Sequence, residues 1–181
     1  EPLVPVLARP RKGSGSKRNQ VFREQRYLDD FIAANDMKQF LIQHLMEGSE
    51  FSVDVYVTSV GEIISVVPRI RMEITGGEVI KTMTVKDDKI IDLVTRMLKD
   101  SSLIGPLSIQ LIRDKHTGED CFIKVNPRFA GGVIASIEAG ADIPEMILRD
   151  YLGLPNYPVT DWKEGLLMMR AHREFFRYNN Y

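Results

Sequence analysis

The sequence lacks several features that would place it in a class at once. Its 181 residues include one cysteine, Cys121, so no disulfide can form within the chain. No apolar run approaches the roughly 20 residues of a membrane span, and no charged-then-apolar leader precedes a small-residue cleavage site. The formal net charge is −1, from 24 Lys and Arg against 25 Asp and Glu, which argues against binding nucleic acid through bulk electrostatics. We therefore expect a cytoplasmic protein with neither a membrane nor a nucleic-acid partner.

The chain nevertheless has enough apolar residues, 44%, to bury a core in one domain or two small ones. Apolar alternation predicts strands and helical spacing predicts helices, in mixed order along the chain. The predicted strands are 3–10, 21–22, 40–43, 51–57, 63–67, 79–85, 107–112, 121–125 and 166–170, and the predicted helices are 26–34, 90–98, 134–139 and 143–152. A turn is predicted at 46–49 and a loop from Pro68 to Glu78, because these stretches show neither the apolar alternation of a strand nor the apolar spacing of a helix.

A glycine- and serine-rich loop separates the first two predicted strands. Its small residues expose backbone N–H groups, and flanking cations offset negative charge, which suits a polyphosphate. The loop and its cations are Arg9, Arg11, Lys12, Gly13, Ser14, Gly15, Ser16 and Lys17. It does not match the phosphate loop that leads into a helix. Taken alone, the loop is better explained as a solvated basic hairpin tip.

The predicted hairpin from 107 to 125 has polar side chains among apolar ones. Alternation places Ser108 and Gln110 on one side of the first strand, and Phe122, Lys124 and Asn126 on one side of the second. A turn centred near Thr117 sets Gln110 opposite Lys124 and Ser108 opposite Asn126. Such a cluster needs a ligand or metal if it is buried, and needs nothing if the face is open to solvent.

Two further stretches lie at strand ends. Asn126-Pro127-Arg128-Phe129-Ala130-Gly131-Gly132 brings an amide, a guanidinium and two glycines together, which is typical of phosphate handling. The segment from Gln43 to Glu50 exposes backbone that can pair with a purine edge, followed by a carboxylate that can bind a ribose diol. Glu50 is equally compatible with a plain surface strand residue.

In their order and spacing, four stretches together resemble the ATP-grasp superfamily, in particular the branch similar to the large chain of carbamoyl-phosphate synthetase. The stretches are Ala8–Lys17 (ARPRKGSGSK), Glu47–Val55 (EGSEFSVDV), Gly105–Gln110 (GPLSIQ) and Ile123–Gly132 (IKVNPRFAGG).

The resemblance implies an α+β chain with the ATP-grasp fold, in which two α+β lobes with antiparallel sheets grip a nucleotide. Residues 1–46 would belong to the smaller lobe and 47–181 to the larger C-terminal lobe. The family's N-terminal domain would precede Glu1, and that domain or a second copy of the chain would be the partner.

The resemblance also implies a reaction and a site. Family enzymes use ATP and Mg²⁺ to phosphorylate a carboxylate, and an amine or ammonia then attacks the acylphosphate. Arg9, Lys12 and the loop Gly13–Ser16 would contact phosphates, and Glu50 would hold the ribose. Gln43, His44, Leu45 and Met46 would line the adenine site. Gln110 and Asn126 would bind Mg²⁺, and Arg128 would steady the transferred phosphoryl group, with Asn126 and Lys124 beside it.

Two positions depart from the family pattern. Lys124 and His44 each stand where the family has a glutamate, and an ammonium cannot ligate magnesium. Lys124 either replaces one metal charge by touching a phosphate directly or marks a site that no longer catalyses. The alternative function is therefore a nucleotide-binding module without turnover, in a regulatory or assembly role.

Overall fold

The computed structural model describes residues 4–12, 18–171 and 177, which form two antiparallel sheets joined by a short segment. The small sheet contains β1 (Val6–Pro10), β2 (Gln20–Phe22) and β3 (Phe40–His44), in the order β2-β1-β3. Helix α1 (Gln25–Ala34) covers one face of it through buried Leu28 and Phe31. Since Val6 and Ala8 point into this core, alternation turns Leu7 and Arg9 to the opposite face.

The large sheet follows in six strands. These are β4 (Gly48–Val57), β5 (Ile63–Thr75), β6 (Glu78–Thr84), β7 (Gly105–Asp114), β8 (Asp120–Asn126) and β9 (Leu167–Met169). Their order is β8-β7-β4-β5-β6-β9, and every neighbouring pair is antiparallel. The long strands β4 and β7 lie side by side at the centre, in register from Gly48 opposite Asp114 to Val57 opposite Gly105.

One face of the large sheet is apolar and covered by α2 (Asp88–Lys99). The buried side chains of Val53 and Val55 on β4 meet Ile90 and Val94 of the helix. Asp87 caps the helix by accepting the N–H of Ile90 at 3.1 Å. The predicted helix 90–98 is confirmed, and its stripe is the core that the spacing indicated.

The other face is divided into an apolar half and a polar half. Helices α3 (Val133–Glu138) and α4 (Ile143–Tyr151) cover the half that contains Tyr56, together with Trp162. The Tyr56 hydroxyl donates to Asp150 at 2.9 Å, and burial, reinforced by this contact, raises the pKa of Tyr56 to about 12. The remaining half, toward Glu50, keeps polar side chains, of which Lys124 is exposed and Glu50 and Gln110 are half-buried.

Two sequence predictions on this sheet are wrong. The stretch from Pro68 to Glu78 is not a loop, because β5 continues to Thr75 and turns directly into β6. Pro68 lacks an N–H, but its carbonyl accepts the N–H of Val85 at 2.9 Å, and it pairs with Val53 in the register of β4. The predicted turn at 46–49 ends early, since β4 already begins at Gly48.

The segment between the two sheets is fixed by Glu47. Its carboxylate accepts from Arg23 beside the small sheet and, at 2.6 Å, from Lys115 Nζ in the turn that follows β7. The hydrogen bonds from Lys115 and then Arg23 lower the pKa of Glu47 from 4.5 to about 2. We call this segment, residues 45–47, the joint. At its start, the Leu45 N–H donates to the Pro5 carbonyl at 3.0 Å.

Candidate functional site

The polar half of the large sheet is built from rows of side chains that cross the strands. Residues directly opposite each other in an antiparallel pair share a face. One row consists of Lys124, Gln110, Ser52 and Arg69, and the next of Asn126, Ser108 and Asp54. Glu50 and Arg71 lie on the other side of the first row and meet in an ion pair of 3.1 Å. We call these nine residues the polar face.

An ion pair buried completely in the sheet anchors the polar face. Arg69 Nε donates to Asp54 Oδ2 at 2.8 Å, with both side chains 1% exposed or less. The same oxygen accepts the Ser136 hydroxyl of α3 at 2.6 Å, and Arg69 Nη1 donates to Thr82 at 3.2 Å. A buried pair of this kind is costly to break, because the remaining charge would stay in the interior. The network therefore fixes α3 against the strands.

The loop after β8 approaches Arg69 closely at Gly132. A β-carbon at this position would lie 2.6 Å from Arg69 Nη1 and 2.8 Å from Val79 Cγ1. The neighbouring carbonyl of Gly131 accepts from Arg170, which also pairs with Glu78 at 3.0 Å. Close packing against Arg69 and Val79 therefore requires a residue without a side chain at position 132.

Arg71 is held half-way between the interior and the open surface. Its side chain is 8% exposed, whereas that of its partner Glu50 is 39% exposed. Burial lowers the pKa of Arg71, while Glu50 raises it and Arg69 lowers it. The Arg71 guanidinium therefore favours any additional negative charge that approaches from the open side.

The predicted pairing of the hairpin is confirmed. Gln110 lies opposite Lys124, and Ser108 opposite Asn126, whose amide donates to the Ser108 carbonyl at 3.3 Å. The expectation that Phe122 shares their side is wrong. The register shifts between Gln110 and Leu111, so Phe122 pairs with Leu111 and lies on the other face.

Several buried polar atoms of the polar face have no hydrogen-bond partner among the residues that the structure describes. They are Asp54 Oδ1, Arg69 Nη2, Arg71 Nε and Ser108 Oγ. Most buried polar groups in proteins are satisfied, so a concentration of unsatisfied ones on one face is typical of a ligand site. Two of the four are guanidinium donors, and the Arg71 side chain, 8% exposed, is the one that an anionic ligand can contact, since Arg69 is fully buried.

The remaining predicted residues are distributed over the small sheet and the joint. Arg9, half-buried, and Gln43 share the face of the small sheet opposite α1, and Lys12 is exposed beyond β1. His44 ends β3, while Leu45 and Met46 lie in the joint, where the N–H of Leu45 is already bonded to Pro5. Gly13, Ser14, Gly15 and Ser16 lie outside the described residues. Arg128 is exposed and donates to the Phe129 carbonyl at 2.9 Å.

The donor set of the polar face does not match a magnesium site held by protein side chains. Gln110 and Asn126 offer neutral amide oxygens, and the ammonium of Lys124 lies on the same pair of strands. Among residues 4–12, 18–171 and 177, no group of three or more His, Cys, Asp or Glu residues is placed to hold a metal ion. Mg²⁺ prefers carboxylate oxygens, and a neighbouring ammonium repels it.

A separate groove of about 930 Å³ lies between α2, the start of β5 and the segment containing Trp162. Ser65 and Ile91 line it, and Lys86 Nζ lies 5.3 Å from the centre of the Trp162 ring. Of the described residues that line this groove, none belongs to the polar face or to the sequence-predicted site.

A protein-family model matches residues 36–173, and its description is "ATP-grasp in the biosynthetic pathway with Ter operon". The chain belongs to this ATP-grasp family. The matched range contains the whole large sheet and β3, and therefore the complete polar face. No curated protein sequence gives a significant match.

Solved structures show the same ATP-grasp fold at low sequence identity. The biotin carboxylase domain of 2-oxoglutarate carboxylase from Hydrogenobacter thermophilus, in complex with MgADP, ADP and bicarbonate, is 16% identical with a TM-score of 0.70. N5-carboxyaminoimidazole synthetase from Staphylococcus aureus, complexed with ADP, is 16% identical with a TM-score of 0.69. The L-amino acid ligase from Bacillus licheniformis is 16% identical with a TM-score of 0.53.

The similarity covers most of this chain but a minor part of those proteins. It extends over 88%, 91% and 72% of this chain, and over 39%, 45% and 33% of the three proteins respectively. Within the part of the chain that the structure describes, no helix has the length and apolar character needed to span a membrane.

The sequence interpretation missed the buried network of Asp54, Arg69 and Ser136. A charged residue within an otherwise apolar alternating strand was the available signal for Asp54. Arg69 gave no such signal, because the predicted strand ends at Val67 and therefore does not include the residue that pairs with Ser52.

Proposed function

We propose that this chain is part of an ATP-dependent ligase that activates a carboxylate for attack by an amine or ammonia, in the manner of the carbamoyl-phosphate synthetase large chain. The observation that supports it is the polar face of an ATP-grasp chain, where Arg69 Nη2 and Arg71 Nε have no hydrogen-bond partner within the described part of the chain, on the face that contains Gln110 and Asn126. An anion with several oxygens, such as the phosphates of a nucleotide, would pair with the partly exposed Arg71 guanidinium, while the fully buried Arg69 adds positive charge behind it.

In this proposal the nucleotide lies between the small sheet and the polar face. Arg9 and Lys12, with the loop Gly13–Ser16, contact the phosphates from the side of the small sheet. Gln43 and His44 at the end of β3, with Leu45 and Met46 of the joint, contact the adenine. Glu50 binds the ribose diol, exchanging part of its ion pair with Arg71 for the new hydrogen bonds.

The proposed nucleotide is ATP, with Mg²⁺ bound to its phosphates. Similar structures are complexes with MgADP or ADP, which supports this choice of nucleotide. Since the polar face offers no acidic ligand set, we assign the protein only the neutral oxygens of Gln110 and Asn126 as possible contacts to that ion.

The proposed reaction has two steps, phosphorylation of the carboxylate and then attack by the amine. A carboxylate oxygen attacks the γ-phosphorus of ATP, the bond to the β–γ bridging oxygen breaks, and ADP leaves. The amine nitrogen then attacks the carbonyl carbon, phosphate leaves, and a proton is released. Arg128 would offset charge on the transferred phosphoryl group, a role in which a fixed cation is worth orders of magnitude in rate.

The test is release of ADP and phosphate that depends on both an added carboxylate and an amine. It uses the chain alone and the chain extended at its N-terminus, because similar proteins are more than twice its length. Arg128→Ala should lower turnover at least about 100-fold, whereas Arg96→Ala, an exposed arginine on α2, should leave it unchanged.

The second candidate function is a nucleotide-binding module without turnover, and the observation that favours it is Lys124 beside Gln110 and Asn126. Under this alternative the chain binds ATP but releases no ADP with any carboxylate and amine pair. Binding without turnover in the extended chain would therefore select the regulatory or assembly role.

A further inference from the structure

We infer that the ammonium of Lys124 binds nucleotide phosphate directly, so that this site holds ATP without needing a metal ion. The inference rests on the proposed function, because it requires the nucleotide to bind on the polar face. It adds a specific role for a residue whose charge does not match a magnesium site.

Lys124 lies in the row of side chains that ends at Arg69 and runs beside Arg71. Lys124 lies opposite Gln110, Gln110 opposite Ser52, and Ser52 opposite Arg69, all on one face. Strands in a sheet are about 4.8 Å apart, so the row spans roughly 14 Å from the Lys124 backbone to that of Arg69. A flexible four-carbon stem lets the Lys124 ammonium reach inward along this row.

Lys124 is exposed and available for such a contact. Its ammonium has neither an ion pair nor a hydrogen bond within the described part of the chain, whereas Lys89 of α2 and Lys115 after β7 are both bound to carboxylates. A lysine without a protein partner, next to buried groups that also lack partners, favours one shared ligand.

The carboxylates nearby are already engaged by cations. Asp54 is bound to Arg69 and Ser136 through one oxygen, and Glu50 is paired with Arg71. The Oδ1 atom of Asp54 is left over, but a single buried oxygen on a carboxylate already paired with Arg69 is a poor site for a divalent cation. The balance of charge on the polar face is therefore suited to an anion.

Substituting an ammonium for a metal changes how binding depends on magnesium. In a site whose ligands are acidic, the phosphates and the carboxylates repel each other until a cation is bound between them. In this site the exposed Lys124 and the partly exposed Arg71 offer positive charge to the phosphates from the start. ATP should therefore bind in the absence of Mg²⁺ with an affinity within about tenfold of that in its presence.

The experiment is calorimetric titration of ATP into the chain, in buffer with MgCl₂ and in buffer with EDTA. The variants are Lys124→Gln, Lys124→Glu and, as a matched control, Lys99→Gln, which removes an exposed lysine from α2 on the other face of the sheet. Circular dichroism melting confirms that each variant is folded. The same titrations with tripolyphosphate test whether the phosphates alone are recognised.

We expect that only the substitutions at position 124 weaken the binding of ATP in EDTA. Lys124→Gln should weaken ATP and tripolyphosphate binding in EDTA by about tenfold, the value of one charge-assisted hydrogen bond. The Lys124→Glu variant should not bind ATP in EDTA but should bind it with MgCl₂, since the new carboxylate is a metal ligand. Lys99→Gln should match the unchanged chain in both buffers.

Two results distinguish failure of this inference from failure of the proposed function. If ATP binds equally well to the unchanged chain and to Lys124→Gln in EDTA, the inference is overturned while nucleotide binding, and with it the proposed function, stands. If no variant binds ATP in either buffer, both the inference and the proposed function are overturned.

Discussion

Gly132 passes so close to Arg69 that a β-carbon on the glycine would lie 2.6 Å from Nη1 of the arginine. Arg69 cannot retreat, because it is fully buried and bound to Asp54 and Thr82. The loop after β8 therefore reaches the sheet only when this position has no side chain.

Gly132→Ala should destabilise the chain by about 1–3 kcal/mol, the usual cost of forcing extra atoms into a packed interior. The measurement is urea denaturation followed by circular dichroism. Gly131→Ala is the matched control, because its β-carbon would meet only the flexible end of Arg170, at 3.3 Å. Equal midpoints for the two variants would contradict the placement of the loop.

Gly48→Ala should have a larger effect, because the obstacle is backbone. A β-carbon at Gly48 would lie 1.8 Å from the carbonyl oxygen of Arg113 on the neighbouring strand β7. The strands must separate at the joint, and we expect a loss of about 3 kcal/mol or more in the free energy of unfolding. A thermal midpoint unchanged from that of the parent chain would show that β4 does not begin at Gly48.

Arg113 joins the start of α2 to the turn of the β7–β8 hairpin. It donates to Asp87 at 2.6 Å and to Asp120 at 2.8 Å. Arg113→Gln should cost about 2–3 kcal/mol, because hydrogen bonds to two charged groups are lost and Asp120 is nearly buried. The free energy of unfolding from urea titration checks this, with Arg96→Gln on the exposed side of α2 as control.

The same contact makes stability depend on pH. The hydrogen bond from Arg113, ahead of any other cause, lowers the pKa of Asp87 below its ordinary 3.8. A carboxyl with a depressed pKa in the folded state contributes stability that is present above its unfolded pKa and lost as the pH falls through the folded value. Unfolding measured between pH 5 and about 2 should therefore show less loss for Arg113→Gln than for the parent; parallel curves would contradict this.

Glu47 should titrate far below an ordinary glutamate. Its pKa is lowered from 4.5 to about 2 by Lys115 and Arg23, so the carboxylate stays charged until strongly acidic pH. Its contribution to stability is present above pH 4.5 and is lost as the pH falls from there toward about 2. Carboxyl chemical shifts measured by NMR should show this, and Lys115→Met should move the midpoint upward. A midpoint near 4.5 in the parent chain would mean that the contacts do not form in solution.

Strands and helices in which apolar residues recur at regular spacing could be predicted from the sequence. The helix at 90–98 and the pairing of Gln110 with Lys124 depend on local alternation and a short turn, and both are confirmed. The ATP-grasp fold, inferred from the resemblance of four stretches, is also confirmed, whereas the carbamoyl-phosphate synthetase branch and the cytoplasmic location stay predictions.

What could not be predicted depends on contacts between distant residues. Pro68 suggested the end of a strand, because the loss of one N–H is visible in the sequence whereas the carbonyl partner at Val85 is not. The bond between Asp54 and Ser136 joins residues 82 positions apart, and no local pattern indicates it. The bulge that moves Phe122 to the other face likewise has no signature in the sequence.

The outer strands of the large sheet also bear on how the chain behaves at high concentration. An open strand edge offers unpaired N–H and C=O groups to any other chain, and proteins blunt such edges with bulges, lysines or short strands. On one side β8 has a shifted register and Lys124, and on the other β9 has only three residues. Replacing Lys124 with a neutral residue therefore removes one of the features that protect this sheet from aggregation.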